Sequence, residues 1–441
     1  MADVGSLIER LGEAARESKT DVTVNGRLFR SAGQSLHVSG CDAGIGDECL
    51  VDADGHAVPA EVVGFAEGIS FLAPLGDIAG LHPGASVRVQ RKPTRPRQDA
   101  LLGRVVNGLG EPLDGRPLAR ELAPAREKQS RINPLDRRPI ATPLDVGVRA
   151  LNGLFTIGQG QRIGLFAGSG VGKSVLLGMM ARFVAADVVV VGLIGERGRE
   201  VREFIDDNLG ASGLARSVVV ASPADDAPVL RLRAARLATD IAHRYRALGK
   251  HVLLVMDSLT RVAQAQREIG LAVGEPPTSK GYPPSVFSLL PRLVEQAGSI
   301  APGTGSITAF YTVLAEGDDQ QDPVADAARA VLDGHIVLSR RLAESGHYPS
   351  IDVEASISRV MPRIVDAAQL AAALRFRELM SRFSQQQDLI NVGAYVAGSD
   401  AVTDRAIKLR SELLAYLRQG ADQRADLQES RERLVRLLAA N

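Results

Sequence analysis

The stretch Gln161-Arg-Ile-Gly-Leu-Phe-Ala-Gly-Ser-Gly-Val-Gly-Lys-Ser174 brings together the groups that hold a chain of phosphates. Gly168, Gly170 and Gly172 can take backbone angles closed to other residues, so successive N–H groups can turn inward on a polyanion. Lys173 adds a point charge, and the Ser174 hydroxyl is a hard ligand suited to Mg²⁺. The residues from Val175 to Ala186 are helical in composition, so a helix begins at the loop and aims its unpaired N–H groups and positive dipole end at the same phosphates. One position departs from the usual phosphate-loop pattern. Where it asks for an opening Gly this chain has Ala167, which tolerates positive φ poorly, so the loop is expected to start in ordinary backbone geometry.

Two carboxylates downstream complete a hydrolytic set. His251-Val-Leu-Leu-Val-Met-Asp257 is an apolar strand that ends in an acid, and beside a phosphate loop such an acid can orient Mg²⁺ and its waters. A second strand, Asp187 to Ile194, runs into Gly195-Glu-Arg-Gly-Arg-Glu200. Glu196 comes first after that strand and before a helix, well placed to take a proton from a water attacking a γ-phosphate, and Arg197 and Arg199 can offset the charge that develops.

These residues need a scaffold, and the middle of the chain supplies one. Candidate strands at Arg162 to Phe166, Val188 to Ile194, Ser217 to Ala221, His251 to Met256, Ser306 to Leu314 and His335 to Leu338 alternate with helical stretches. They are apolar on consecutive positions, as strands covered on both faces are, which predicts an α/β core built on a mostly parallel sheet. Chemistry in such sheets gathers at the carboxyl ends of the strands. Before this core, from Asp21 to about Pro93, short alternating segments punctuated by Gly predict a small β-barrel or sandwich, and a linker rich in Pro and Arg, Arg91 to Gln98, follows it. Residues 1 to 20 have the spacing of a short amphipathic helix that needs a partner. After Met361 the chain turns helical at Ala367 to Phe383, Ala401 to Leu417 and Asp422 to Leu438, with a loop expected from Gln385 to Tyr395. The expected divisions are thus 1–20, 21–93, 94–361 and 362–441.

Composition removes several alternatives. With 441 residues and 52 basic against 52 acidic side chains, the chain is too long for one core and too neutral for a dominant nucleic-acid or membrane-surface role. No apolar run approaches the length of a membrane span, and acids at Asp3, Glu9, Glu13 and Glu17 argue against a signal peptide. Cys41 and Cys49, the only two cysteines, read as free thiols rather than a disulfide framework.

Gly195-Glu-Arg-Gly-Arg-Glu200, Asp257-Ser-Leu-Thr-Arg261, Glu275-Pro-Pro-Thr-Ser-Lys-Gly-Tyr-Pro-Pro-Ser-Val-Phe287 and Ile357-Ser-Arg359 together resemble motifs of the ATPases of type III secretion and bacterial flagellar export. That family is similar to the catalytic subunits of rotary ATP synthases, and Ala167 fits it, since its members commonly carry Ala at this position. The resemblance implies a phosphate-loop, RecA-like ATPase core between a barrel and a helical domain. It implies ATP and Mg²⁺, with nucleotide contacts from Gly168, Ser169, Gly170, Val171, Gly172, Lys173, Ser174 and Val175, and with Tyr348 against adenine. Ser174 and Asp257 would serve the metal, Glu196 the water, and Arg197 and Arg261 the γ-phosphate.

Arg359 matches an arginine finger that enters the neighbouring subunit's pocket, which implies a homohexamer. Further implied partners are a stator-like regulatory protein at residues 1 to 20, a central stalk-like export component, the export gate at the inner membrane and chaperone–substrate complexes, but no nucleic acid. The location implied is cytoplasmic, at the periphery of the inner-membrane export apparatus. Two other readings share the core: a rotary ATP synthase or vacuolar-type subunit, and an RNA-translocating hexameric helicase. The proline-rich stretch and the amphipathic amino end weigh against the first, the neutral charge and aromatic-poor barrel against the second.

Overall fold

A strand that is apolar at every position has no face to give to water, and Val188–Ile194 and Ser217–Ser222 are buried at every residue. Alternate side chains point to opposite faces, so Val189, Val191 and Leu193 enter one apolar cluster while Val188, Val190 and Ile194 enter another. Helices therefore cover both sides of the sheet. The computed structural model describes residues 25–90, 94–122, 132–300, 305–314 and 322–439. The amphipathic helix expected at 1 to 20 lies outside these residues.

Among the described residues the chain divides after Pro93 into two compact units. The first holds a closed barrel of six strands, Gly26–Ala32, Ser35–Ser39, Glu48–Ala53, His56–Ala66, Ile69–Pro74 and Ser86–Val89, around a core that includes Leu36, Val38, Val51, Val62 and Leu72. Cys41 and Cys49 are free thiols in this unit.

The second unit is built on a nine-stranded sheet. Its order is Ile351–Ser358, Gly334–Leu338, Arg162–Ala167, Ser306–Leu314, His251–Asp257, Val188–Ile194, Ser217–Ser222 and Arg104–Val106, with the short Gly298–Ser299 antiparallel to Ser306–Leu314. All neighbouring pairs along that order are parallel except the first, in which Ile351–Ser358 runs antiparallel to Gly334–Leu338. Sequence reading missed Ile351–Ser358 because an edge strand shows water one face, and its pattern is mixed rather than continuously apolar. Arg104–Val106 was missed for its length, three residues.

The helices Ala367–Asn391, Ala401–Leu417 and Leu427–Ala439 share the apolar cluster on one face of the sheet. The loop expected from Gln385 begins instead as helix. Gln385-Gln-Gln-Asp-Leu-Ile contains no breaker, and the turn follows only at Gly393, where φ is 71°. The last helix starts later than expected, at Leu427, with the Asp426 carboxylate accepting from Glu429 N at 2.8 Å. Tyr416 is fully buried, and its hydroxyl donates to Ser430 O at 2.8 Å. A Cβ at Gly153, in the helix Arg149–Leu154, would stand 1.9 Å from that hydroxyl oxygen. Gly153→Ala is therefore expected to destabilise this unit by about 1–3 kcal/mol through overpacking. A denaturant midpoint that stays at the wild-type value would show that the contact gives way freely.

Candidate active site

Register brings the chemistry together. Ala167 pairs with Leu314, Met256 with Tyr311 and Leu193 with Asp257, so four adjacent parallel strands end at one level, and the loops beyond them face a common space. The strand preceding the phosphate loop runs through Ala167, which stays in extended geometry; positive φ first appears at Gly170 (76°) and Gly172 (86°). Gly172 is the N-cap of the helix Lys173–Phe183, whose first turn carries no side-chain cap and no acid. Its leading N–H groups and dipole end are left for an anion.

Lys173 is held between two carboxylates. Its Nζ lies 2.8 Å from Glu196 Oε1 and 2.5 Å from Asp257 Oδ1. Asp257 is only 2 % exposed, and Thr312 Oγ1 donates to the same Oδ1 at 2.6 Å. Burial alone would lower the Lys173 ammonium, but Asp257 and Glu196 outweigh it and hold the group above its ordinary value. Burial pushes the Asp257 carboxyl up from the usual carboxylate range, against the pull of Lys173 and Thr312.

Around this triad lies a cavity of about 660 Å³, lined by Gly168, Ser169, Gly170, Gly172, Ser174, Val175, Glu196, Arg197 and Arg261 among others. Glu196 follows Gly195, whose φ is 73° and whose missing Cβ admits Arg261: a methyl there would meet Arg261 Cβ and Cγ at 2.8 Å. Arg261 is anchored through its backbone N to Ser258 Oγ at 3.2 Å and through Nη1 to Gln264 Oε1 at 2.8 Å. Arg197 caps the short helix Gly198–Glu203, and its side chain is 81 % exposed, 3.7 Å from Glu200.

Val171 does not face the cavity. It is 2 % exposed and packs beneath the loop, while its carbonyl accepts from Ser350 Oγ at 2.6 Å. That bond fastens the loop to the segment carrying Tyr348, whose half-exposed ring would lie 3.3 Å from a Cβ added to Gly172.

Two residues escaped sequence reading. Thr312 sits inside a strand legible only as apolar, and a hydroxyl among buried aliphatics was the available signal. Arg340 begins the short helix Arg340–Glu344 just beyond the carboxyl end of Gly334–Leu338 and lines the same cavity. Among the described residues neither Arg340 nor Arg261 has a carboxylate within ion-pair distance, whereas Arg197 and Arg199 are paired to Glu200 and Glu203. Its strand was legible, but no motif pointed to it.

One predicted residue is far from the rest. Arg359 follows the antiparallel strand Ile351–Ser358, and its backbone N donates to Asp333 O, while Asp333 N donates to Arg162 O. Arg162 is the first residue of the strand that ends at Ala167. Arg359 thus stands at the opposite end of the strands from the phosphate loop, a strand length of about 16 Å away at some 3.3 Å per residue.

The donor set fits a Mg-nucleotide. A hydroxyl at Ser174 and a buried carboxylate at Asp257 are hard oxygen donors, and the uncapped helix turn with Lys173 suits phosphate oxygens. No cluster of three or more His, Cys, Asp or Glu among the described residues could hold a metal without such a substrate.

The nucleotide-binding domain of the ATP synthase alpha/beta family matches residues 147–358, and the C-terminal domain of the type III secretion ATPase EscN matches residues 365–436. The flagellum-specific ATP synthase of Pseudomonas aeruginosa is 60% identical over 421 residues, 94% of this chain and 93% of its own length. Among solved structures, the assembled EscN ATPase of the enteropathogenic E. coli type III secretion system superposes with a TM-score of 0.87 at 42% identity, over 94% of this chain and 100% of that one. The same ATPase in complex with its central stalk EscO gives 0.84 at 41% identity, again over 94% and 100%. Identity and coverage of this extent place the whole described architecture, and not the phosphate loop alone, in one lineage: the chain belongs to the family of flagellum-specific and type III secretion ATPases.

Proposed function

We propose that this chain hydrolyses ATP in a homohexameric ring of a bacterial type III protein export apparatus, and that the apparatus is flagellar. The observation that carries the reading is the separation of Arg359 from Lys173 and Glu196 along the length of the strands. A finger that cannot reach its own subunit's phosphates is available to a neighbour's. The 60% identity to a flagellum-specific ATP synthase, against 49% to the type 3 secretion system ATPase of Xanthomonas euvesicatoria and 42% to EscN, favours the flagellar system.

In this reading the backbone N–H groups of Gly168 to Val175 and the Lys173 ammonium hold the β- and γ-phosphates, and Tyr348 lies against adenine. Ser174 and Asp257 would hold Mg²⁺, which would supply charge neutralisation on the phosphate oxygens. Glu196 takes a proton from the water whose oxygen attacks the γ-phosphorus. The bond from that phosphorus to the β-bridging oxygen breaks, and ADP and phosphate leave. Arg261 and Arg197 stabilise the equatorial oxygens from within the subunit, and the neighbour's Arg359 does so from outside.

Coupled to export, this turnover releases chaperones and delivers substrates to a gate in the inner membrane. EscN is known assembled and with a central stalk, which supports a ring and a stalk-like partner for this chain. Residues 1 to 20 are assigned to a stator-like regulatory partner. No helix among the described residues is long and apolar enough to cross a membrane, consistent with peripheral attachment on the cytoplasmic side.

Lys173→Ala should abolish nucleotide binding and turnover together, whereas Glu196→Gln should keep binding and lose hydrolysis by at least about 10²-fold, as fits a group acting only on the water. Equal loss of binding in both, read with a fluorescent nucleotide, would remove Glu196 from that role. Specific activity should rise with protein concentration as rings form, and Arg359→Ala subunits should regain turnover when mixed with Lys173→Ala subunits; no recovery in mixed rings would return the finger to its own chain. Deleting residues 1 to 20 should end capture of the regulatory partner while sparing basal turnover.

A further inference from the structure

We propose that Arg162 and Asp333 are positioning residues for Arg359: an ion-paired clamp at the end of the sheet away from the phosphate loop that sets where the finger points, without touching substrate. The inference rests on the reading of Arg359 as a finger supplied to the neighbouring subunit.

The Arg162 and Arg359 guanidiniums both lie at this end of the sheet, and they are in different electrical states. Arg162 forks onto Asp333, with Nε to Oδ2 at 2.9 Å and Nη2 to Oδ1 at 3.0 Å, and its remaining nitrogen pairs with Glu295. Burial alone would lower the Arg162 guanidinium, but Asp333 and Glu295 more than offset it. Its charge is spent within the subunit. Arg359 has only carbonyl partners among the described residues, Leu332 O at 3.2 Å from Nη1 and Arg329 O at 3.4 Å from Nη2, both near the end of the helix Pro323–Val331. Those contacts orient a cation without neutralising it, which is what a finger requires.

The clamp fixes the backbone that carries this cation. Arg162 N donates to Asp333 Oδ2 at 3.0 Å, and Asp333 N returns to Arg162 O at 2.8 Å, so the two residues are tied by main chain and side chain together. The Asp333 carbonyl then accepts from Arg359 N at 3.0 Å and from Gln161 Nε2 at 3.2 Å, and the same Gln161 nitrogen reaches Ser358 Oγ at 3.1 Å. The backbone of Arg359 is thus tied directly to Asp333, and Ser358 before it pairs with Gly334, the residue after Asp333. Both side chains of the clamp are mostly covered, at 17 % and 23 % exposure, where a fork geometry persists against water. Because reaction rate falls steeply with small misplacement of a charged group, loosening the clamp should cost turnover and little else.

The test is a double-mutant cycle in kcat with Asp333→Asn, Arg359→Ala and their combination, at saturating ATP and at protein concentrations where rings form. Asp333→Asn should lower kcat by about three- to thirtyfold, a range set by couplings measured through packed networks. KM for ATP and binding of a fluorescent ATP analogue should stay within about twofold. In the Arg359→Ala background the same substitution should have no further effect, because there is no finger left to position. Full additivity of the two losses would overturn the inference and assign the pair to stability of the sheet. If Arg359→Ala alone leaves kcat intact, the trans-finger reading itself fails, a result distinct from additivity. Should Asp333→Asn not fold or assemble, Arg162→Lys keeps the charge and loses the fork, and the same cycle with Arg359→Ala decides.

Discussion

The Lys173 ammonium between Glu196 and Asp257 is the interaction on which the rest of the site depends. As a source of stability it is poor, since withdrawing three charged groups from water costs more than their attraction reliably returns. Its value lies in where it puts them. A cation held 2.8 Å from one acid and 2.5 Å from the other sits at the shared carboxyl end of the three parallel strands that lead into Lys173, Glu196 and Asp257. The sheet's register is what makes those strands end together, and Thr312, on a fourth, satisfies the acid that is most deeply buried.

The strands of the sheet have two ends, and the chain uses both. The carboxyl ends carry the loops around Lys173, Glu196 and Asp257. The opposite end carries Arg359, brought there by the one strand on the main path, among the described residues, that runs against its neighbour. Had Ile351–Ser358 been parallel, the residue after it would have emerged beside the phosphate loop, and the arginine would have belonged to its own site. Strand direction, a property of topology and not of any side chain, decides at which end of the sheet this residue stands.

Much of this was legible beforehand, and for physical reasons. A strand covered on both faces must be continuously apolar, so the buried strands from Arg162 to Leu338 stood out, and a loop that wraps phosphate must have glycine where φ is positive, as at Gly170 and Gly172. What escaped depends on pairing across long separations. Thr312 bonds to Asp257 across 55 positions, and Arg340 is drawn to the cavity by the strand it follows. Neither carries a local pattern. The helix running on to Asn391 was misjudged for the opposite reason: local polarity in Gln385-Gln-Gln-Asp suggested a loop, but polar residues without Gly or Pro do not stop a helix, and Gly393 does.

Most of the charge within the cavity is balanced inside the subunit. Lys173 is balanced by two carboxylates, and Arg197 and Arg199 have acidic partners of their own. Only Arg261 and Arg340 line it without one among the described residues. A phosphoryl group leaving one oxygen for another spreads negative charge over its equatorial oxygens, and a further cation about 4 Å away in a partly screened site is worth about 4 kcal/mol. That is roughly a thousandfold in rate. The chain possesses such a cation in Arg359, oriented by carbonyls and left unneutralised, but holds it where its own nucleotide cannot feel it. In the proposed ring, hydrolysis at full rate would demand an interface, and each site's turnover would depend on how the neighbouring subunit holds Arg359.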